Sequence, residues 1–195
     1  MSNFPKSAVK SSQLLLMNFS SLAYGCLLTA LIFSPSAQAE ALKEQLSFFQ
    51  HTPYLIQSSA VNISPAAIAS VTFSIEVPAN AGQSLKAITI KPITNVETIA
   101  FKEADTRAVM GEDYASGTPL ALSSIGGEQD ANDTSTTLVF DQPIEPGNTV
   151  TVRLKVEKNP LYGGIYLLKV TAFPDNQNNH GLPLGNIRLH FLGSD

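Results

Sequence analysis

The chain has 195 residues and a formal charge of −4 at neutral pH, with 44% hydrophobic and 14% charged residues. That balance excludes a disordered polyelectrolyte. A mildly acidic, evenly sprinkled charge with no run of like sign argues against nucleic acid and anionic membrane surfaces as partners.

The N-terminus reads as an export signal. Lys6 and Lys10 form a positive flank, and no acidic residue precedes Glu40. An apolar core follows, densest over Leu22–Phe33 (LAYGCLLTALIF), and then SPSAQA, where Ala37 and Ala39 give the small-x-small pattern of a cleavage site. Residues 1–39 are therefore expected to be a cleaved secretory signal peptide, which implies a secreted or periplasmic location. An uncleaved anchor is the rival, since Leu14–Phe33 spans 20 residues, close to the ~20 that cross a bilayer. Asn18, Ser20 and Ser21 interrupt its first half and favour the shorter signal core. A lipid anchor on Cys26 is the other rival, but bulky Tyr24 precedes it and an apolar CLLTALIF would follow.

Cleavage after Ala39 leaves 156 residues, enough for one domain with a real core. The single cysteine, Cys26, leaves with the signal, so stability has to come from burial rather than disulfides. Lys6 and Lys10 leave too, so ten basic residues face sixteen acidic ones, a net charge of −6. No membrane insertion is expected once the signal is gone.

Residues 40–62 read as a lead segment, with Leu42, Leu46 and Phe49 at roughly helical spacing, although strand-like sequence begins near Tyr54. Beyond it the chain alternates. In VTFSIEV, Val71, Phe73, Ile75 and Val77 point one way, and Pro78 stops the run. TVTVRLKV sets Val150, Val152, Leu154 and Val156 against Thr149, Thr151, Arg153 and Lys155, and IRLHF repeats the device. LKAITIK, VETIAF, PLALSS and TTLVF are less regular strands. IYLLKVTAF is apolar on both phases and is expected to be a central strand covered on both faces, except near Lys169 and Thr171. Gly, Pro and Asn clusters fill the gaps, NPLYGG among them, which reads as a tight turn into that strand. Residues 63–195 are thus expected to form one all-β domain: a single antiparallel β-sandwich, immunoglobulin-like, with about seven to nine short strands.

The phrases VPANAGQSLKAITI, FDQPIEPGNTVTVRL, NPLYGGIYLLKVTAFP and LGNIRLHF occur in that order from about Ser70 to Leu192. They resemble a family of secreted cyanobacterial proteins known only as a domain of unknown function. The resemblance implies an exported, single-domain β protein and assigns no catalytic residue. Leu168, and AVM before Gly111, depart from the aromatic residues expected there, and both are core-type exchanges.

Candidate chemistry is sparse, and no catalytic, cofactor-binding or metal residue is assigned. There is no G-x-S-x-G elbow, and Ser116, Ser123 and Ser124 have no nearby histidine in sequence. His51, His180 and His190 lack metal-ligand spacing. GEQDANDTS offers calcium-type oxygens from Glu128, Asp130, Asn132 and Asp133, without the glycine and distal glutamate of an EF-hand, so it reads first as a hydrated loop. Glu76, Glu97, Glu103 and Glu145 read as exposed strand or turn residues, and nothing selects a glycosidase pair among them. The chain has no Trp, which leaves Tyr54, Tyr114 and above all Tyr162 as aromatic platforms for a sugar. The sequons at Asn62 and Asn132 carry no further meaning in a bacterial exported protein. These readings point to a non-catalytic contact module for a protein or polysaccharide of the cell envelope. A small-ligand or polysaccharide binder, or a weak hydrolase, is the alternative.

Overall fold

Alternating valines and isoleucines need a second apolar layer, and the chain supplies it by folding into two sheets. The computed structural model describes residues 48–93, 96–126, 134–176 and 180–194. The strands are β1 (Tyr54–Val61), β2 (Ser70–Glu76), β3 (Leu85–Pro92), β4 (Arg107–Met110) and β5 (Thr118–Leu120), then β6 (Leu122–Gly126), β7 (Thr136–Ile144), β8 (Thr149–Lys155), β9 (Gly164–Pro174) and β10 (Leu182–Phe191). One sheet has the order β1-β2-β8-β4-β5 and the other β10-β9-β3-β7-β6. Every pairing is antiparallel. The fold is an antiparallel β-sandwich with the two-layer architecture of immunoglobulin-like domains.

The core is where the alternation put it. Val71, Phe73 and Ile75 of β2 face Leu138 and Phe140 of β7, Leu168 and Val170 of β9 and Ile187, Leu189 and Phe191 of β10, all within one buried cluster. Fully burying each such side chain contributes about 1.5–3 kcal/mol. Phe49 joins this cluster, and the amide of Gln50 donates to the carbonyl of Ala81, so the chain is docked before β1 begins.

Several elements differ from the sequence reading. Ten strands form among the described residues rather than seven to nine: PLALSS splits at Ala121 into β5 in one sheet and β6 in the other, and β1 and β4 are added. β1 lies inside the segment read as a lead, paired along its length with β2. VETIAF is not a strand; its only ladder contact is a bridge from Phe101 to Val156, while Ile99 and Phe101 are buried. β9 is internal, flanked by β10 and β3, but only its Tyr166, Leu168, Val170 and Ala172 phase is buried. Ile165 is exposed and Leu167 and Phe173 are half-buried on an outer face that no layer among the described residues covers completely, against the expectation of two covered faces.

The other sheet is covered where it was expected to be wet. Residues 111–117 fold back over the outer side of β2 and β8. Thr151 donates to the carbonyl of Gly111 at 2.6 Å and lies 2.7 Å from the hydroxyl of Ser74. Both residues are fully buried. The strand edges are blunted as well: β1, β6 and β10 carry bulges, and β5 is three residues long with Pro119 in its middle.

A candidate binding cleft at one pole

The loops that follow β1, β3 and β8, together with the end of β10, meet at one pole of the sandwich. The short phrase NPLYGG organises them. Asn159 is 2% exposed. Its Oδ1 accepts from the amide of Ala69 at 3.1 Å, and its Nδ2 donates to the carbonyls of Asn62 at 2.7 Å and Ser64 at 2.8 Å. Its own amide donates to the carbonyl of Ala67. One buried side chain therefore satisfies three backbone groups of the loop between β1 and β2, where Asn62 and Ala66 both hold positive φ.

The next residues are held as firmly. The amide of Tyr162 donates to Glu97 Oε1 at 2.7 Å, and the hydroxyl of Tyr166 donates to the carbonyl of Tyr162 at 2.9 Å. Burial, with the negative charge of Glu97 nearby, pushes the Tyr166 phenol above its ordinary pKa, which keeps that donor protonated. Ser194 donates its amide to the carbonyl of Leu161. Gly163 packs on the backbone of Gly193 so closely that a Cβ would lie 2.8 Å from Gly193 Cα. The loop is a turn, as the sequence implied, but a braced one.

Between these segments lies a cleft of about 230 Å3 lined by Glu97, Thr98, Ala100, Glu157, Lys158, Asn159, Pro160 and Leu161. Tyr162 directly follows its wall and is 66% exposed. Among the described residues its hydroxyl has no hydrogen-bond partner. Leu161, Ile165, Leu192 and, at 80%, Val96 are exposed around it. The bonds from Glu97 to Tyr162 and from Ser194 to Leu161 bring these apolar side chains to one pole.

The other sequence candidates are dispersed. The Tyr114 ring lies under the guanidinium of Arg153, 3.5 Å from its centroid, on the outer side of the opposite sheet. Tyr54 is bonded to the carboxylate of Glu76, which raises its pKa. Glu145 accepts from Ser84, and Glu103 lies against Gly126. Ser116 caps Asp113, and Ser123 contacts the carbonyl of Val139. His51 contacts the carbonyl of Asn80 and His180 stacks on Phe48 at the far pole, whereas His190 sits opposite Ile165 on the outer face. At about 3.3 Å per residue, the stretch of β10 from Leu182 to His190 spans roughly 25 Å, and His180 lies beyond its start. No cluster of three His, Cys, Asp or Glu able to hold a metal occurs among the described residues. Glu128, Asp130, Asn132 and Asp133 lie outside them, as do Leu42 and Leu46. No helix among the described residues is long and apolar enough to cross a membrane.

Sequence reasoning singled out Tyr162, read Glu97 only as one of four exposed strand or turn carboxylates, and passed over Glu157 as a wall residue. It also took Asn159 for an ordinary turn former. Its one available signal was an Asn–Pro pair followed, after Leu161 and Tyr162, by two glycines.

Residues 46–191 match the family described as "Protein of unknown function (DUF2808)". The chain belongs to this family. No relative is found among curated proteins. Among solved structures, the DUF2808 chain is similar to the collagen-binding domain from a Staphylococcus aureus adhesin, at 8% identity and a TM-score of 0.38, covering 73% of this chain and 97% of that one. It is also similar to ACE19, the collagen binding subdomain of the Enterococcus faecalis surface protein ACE, at 9% identity and a TM-score of 0.40, covering 72% and 99%. A third is an uncharacterized Nocardia farcinica protein with an immunoglobulin-like fold, at 16% identity and a TM-score of 0.36, covering 69% and 96%. At these identities the likeness is one of fold alone.

Proposed function

We propose that this DUF2808 protein is an exported, non-catalytic module that acts by contact with another component of the cell envelope, through the pole that carries Tyr162. In this reading residues 1–39 are removed as a signal peptide and the sandwich works in the periplasm or outside the cell. The observation that carries it is the group of exposed Val96, Leu161, Tyr162, Ile165 and Leu192 side chains, set on loops and on the start of β9 and braced by buried and partly buried hydrogen bonds. Exposed apolar groups rimmed by polar ones are the usual mark of an interaction surface. The bulged and shortened edge strands turn the contact away from strand addition and toward these loops.

A photo-crosslinking residue at position 162, introduced in living cells, tests the reading. It is expected to retrieve a defined envelope component above background, while the same residue at exposed Lys169 is not. Equal recovery at both positions would remove the basis for the proposal. Mass spectrometry of the mature N-terminus in fractionated cells checks cleavage after Ala39.

The cleft favours a second reading, in which the same pole takes a small ligand or a polysaccharide. Its wall combines two carboxylates and an ammonium with the apolar Ala100, Pro160 and Leu161, the mixture that orients a polar ligand.

A further inference from the structure

We infer that the cleft beside Tyr162 is a subsite for one ring of an uncharged glycan chain, an inference that rests on the contact reading of this pole and gives its partner a chemical class. The volume of about 230 Å3 falls below the ~300–1,000 Å3 of pockets for drug-sized ligands. It is suited to a single sugar ring rather than a folded peptide segment.

The wall chemistry is that of hydroxyl recognition. Glu97 and Glu157 supply acceptors and Lys158 supplies a donor. One Glu97 oxygen already holds the amide of Tyr162 at 2.7 Å, which fixes the carboxylate in place and leaves its second oxygen for a ligand hydroxyl. Tyr162 follows the lining residue Leu161 and is tied to Glu97 through its amide; its side chain is two-thirds exposed, and an aromatic face accepts the C–H face of a pyranose while the sugar hydroxyls turn to polar groups. Thr98, Ala100, Glu157 and Lys158 are exposed, so the cleft is open to solvent and a chain can continue past it.

Rigidity makes the arrangement useful. Ligand contacts are weakened when a loop has to be ordered first. Here Asn159, Tyr166 and the Gly163–Gly193 contact have already ordered it. Charge narrows the class further. With two carboxylates in the wall and −6 on the mature chain, a uronate or sulfate polymer is repelled, whereas a neutral hexose or N-acetylhexosamine chain is not.

The test uses the mature chain from Glu40 to Asp195 with maltohexaose, cellohexaose and N-acetylglucosamine hexamer as probes, and polygalacturonate as the acidic control. Because the chain lacks Trp, its emission comes from its tyrosines, Tyr162 among them, and a change that Tyr162→Phe abolishes is assigned to that ring, while amide NMR shifts locate the site. At least one neutral oligomer is expected to shift residues 96–100 and 157–163, and polygalacturonate is not. Tyr162→Ala is expected to weaken binding by at least about tenfold, the loss of an anchoring aromatic. Tyr162→Phe, which keeps the ring, should stay within roughly threefold. Glu157→Gln should weaken binding several-fold at an unchanged melting temperature. No response to any neutral oligomer at 10 mM, or a response that Tyr162→Ala leaves intact, overturns the inference. If position 162 then still crosslinks to a protein in cells, the glycan assignment alone falls. If it crosslinks to nothing, the contact reading falls with it.

Discussion

Replacing Asn159 with Ala removes three side-chain hydrogen bonds at once, and the structure says what each is worth. The amide of Ala69 is fully buried and loses its acceptor, a cost of about 1–3 kcal/mol for an unsatisfied donor. The carbonyls of Asn62 and Ser64 belong to exposed residues and recover water, so each contributes only about 0.5 kcal/mol. The expected loss is roughly 2–4 kcal/mol, a large part of the ~5–15 kcal/mol that holds a domain together. Urea unfolding should show it as a lower midpoint at an unchanged slope, and the melting temperature should fall by roughly 6–12 °C. Asn159→Asp sharpens the test. It keeps the acceptor for Ala69 but turns a carboxylate oxygen toward two carbonyl oxygens, so its deficit should be large at neutral pH and shrink as acid protonates it. A loss under about 0.5 kcal/mol for Asn159→Ala, or an Asp variant as stable as the parent at pH 7, would mean that water already serves these groups and that Asn159 does not brace the pole.

Three further expectations concern other parts of the sandwich. Gly163→Ala should lower stability by about 1–3 kcal/mol in thermal melts, because the new Cβ meets Gly193 backbone rather than a yielding side chain. Thr151→Val should cost about 1–3 kcal/mol by denaturant titration, since the partly buried carbonyls of the 111–112 turn lose their donor and the buried Ser74 hydroxyl loses a partner while shape is kept. Asp113 accepts from the amide of Ala115 and the hydroxyl of Ser116, and these bonds hold its carboxyl below the ordinary value. A folded-state pKa below the unfolded one gives stability that is present above the unfolded pKa and lost as pH falls through the folded one. The melting-temperature deficit of Asp113→Asn should therefore be full at neutral pH and close below the usual carboxylate range; a deficit constant with pH would contradict it.

Local alternation was enough to identify β2, β8 and the inner face of β10, because a period of two with one apolar phase specifies a half-buried strand whatever its partner. The turn character of NPLYGG and the prominence of Tyr162 were legible for the same local reason: Pro, Gly and an unpaired aromatic announce themselves. What the sequence could not carry is how distant segments cover one another. Ile165, Leu167 and Phe173 are as apolar as their buried neighbours, yet Ile165 is exposed and Leu167 and Phe173 are half-buried, because among the described residues no complete third layer lies over that face. Ser74 and Thr151 look like solvated strand residues until a loop 40 residues away from Thr151 folds over them. Asn159 reads as a turn former, yet its bonds reach back 90 to 97 residues. Glu97 and Glu157 share a cleft only because the turn after β3 and the turn after β8 emerge at the same pole. Strand identity is a local property of side-chain spacing, whereas burial of a polar group and convergence of a site are set by long-range pairing.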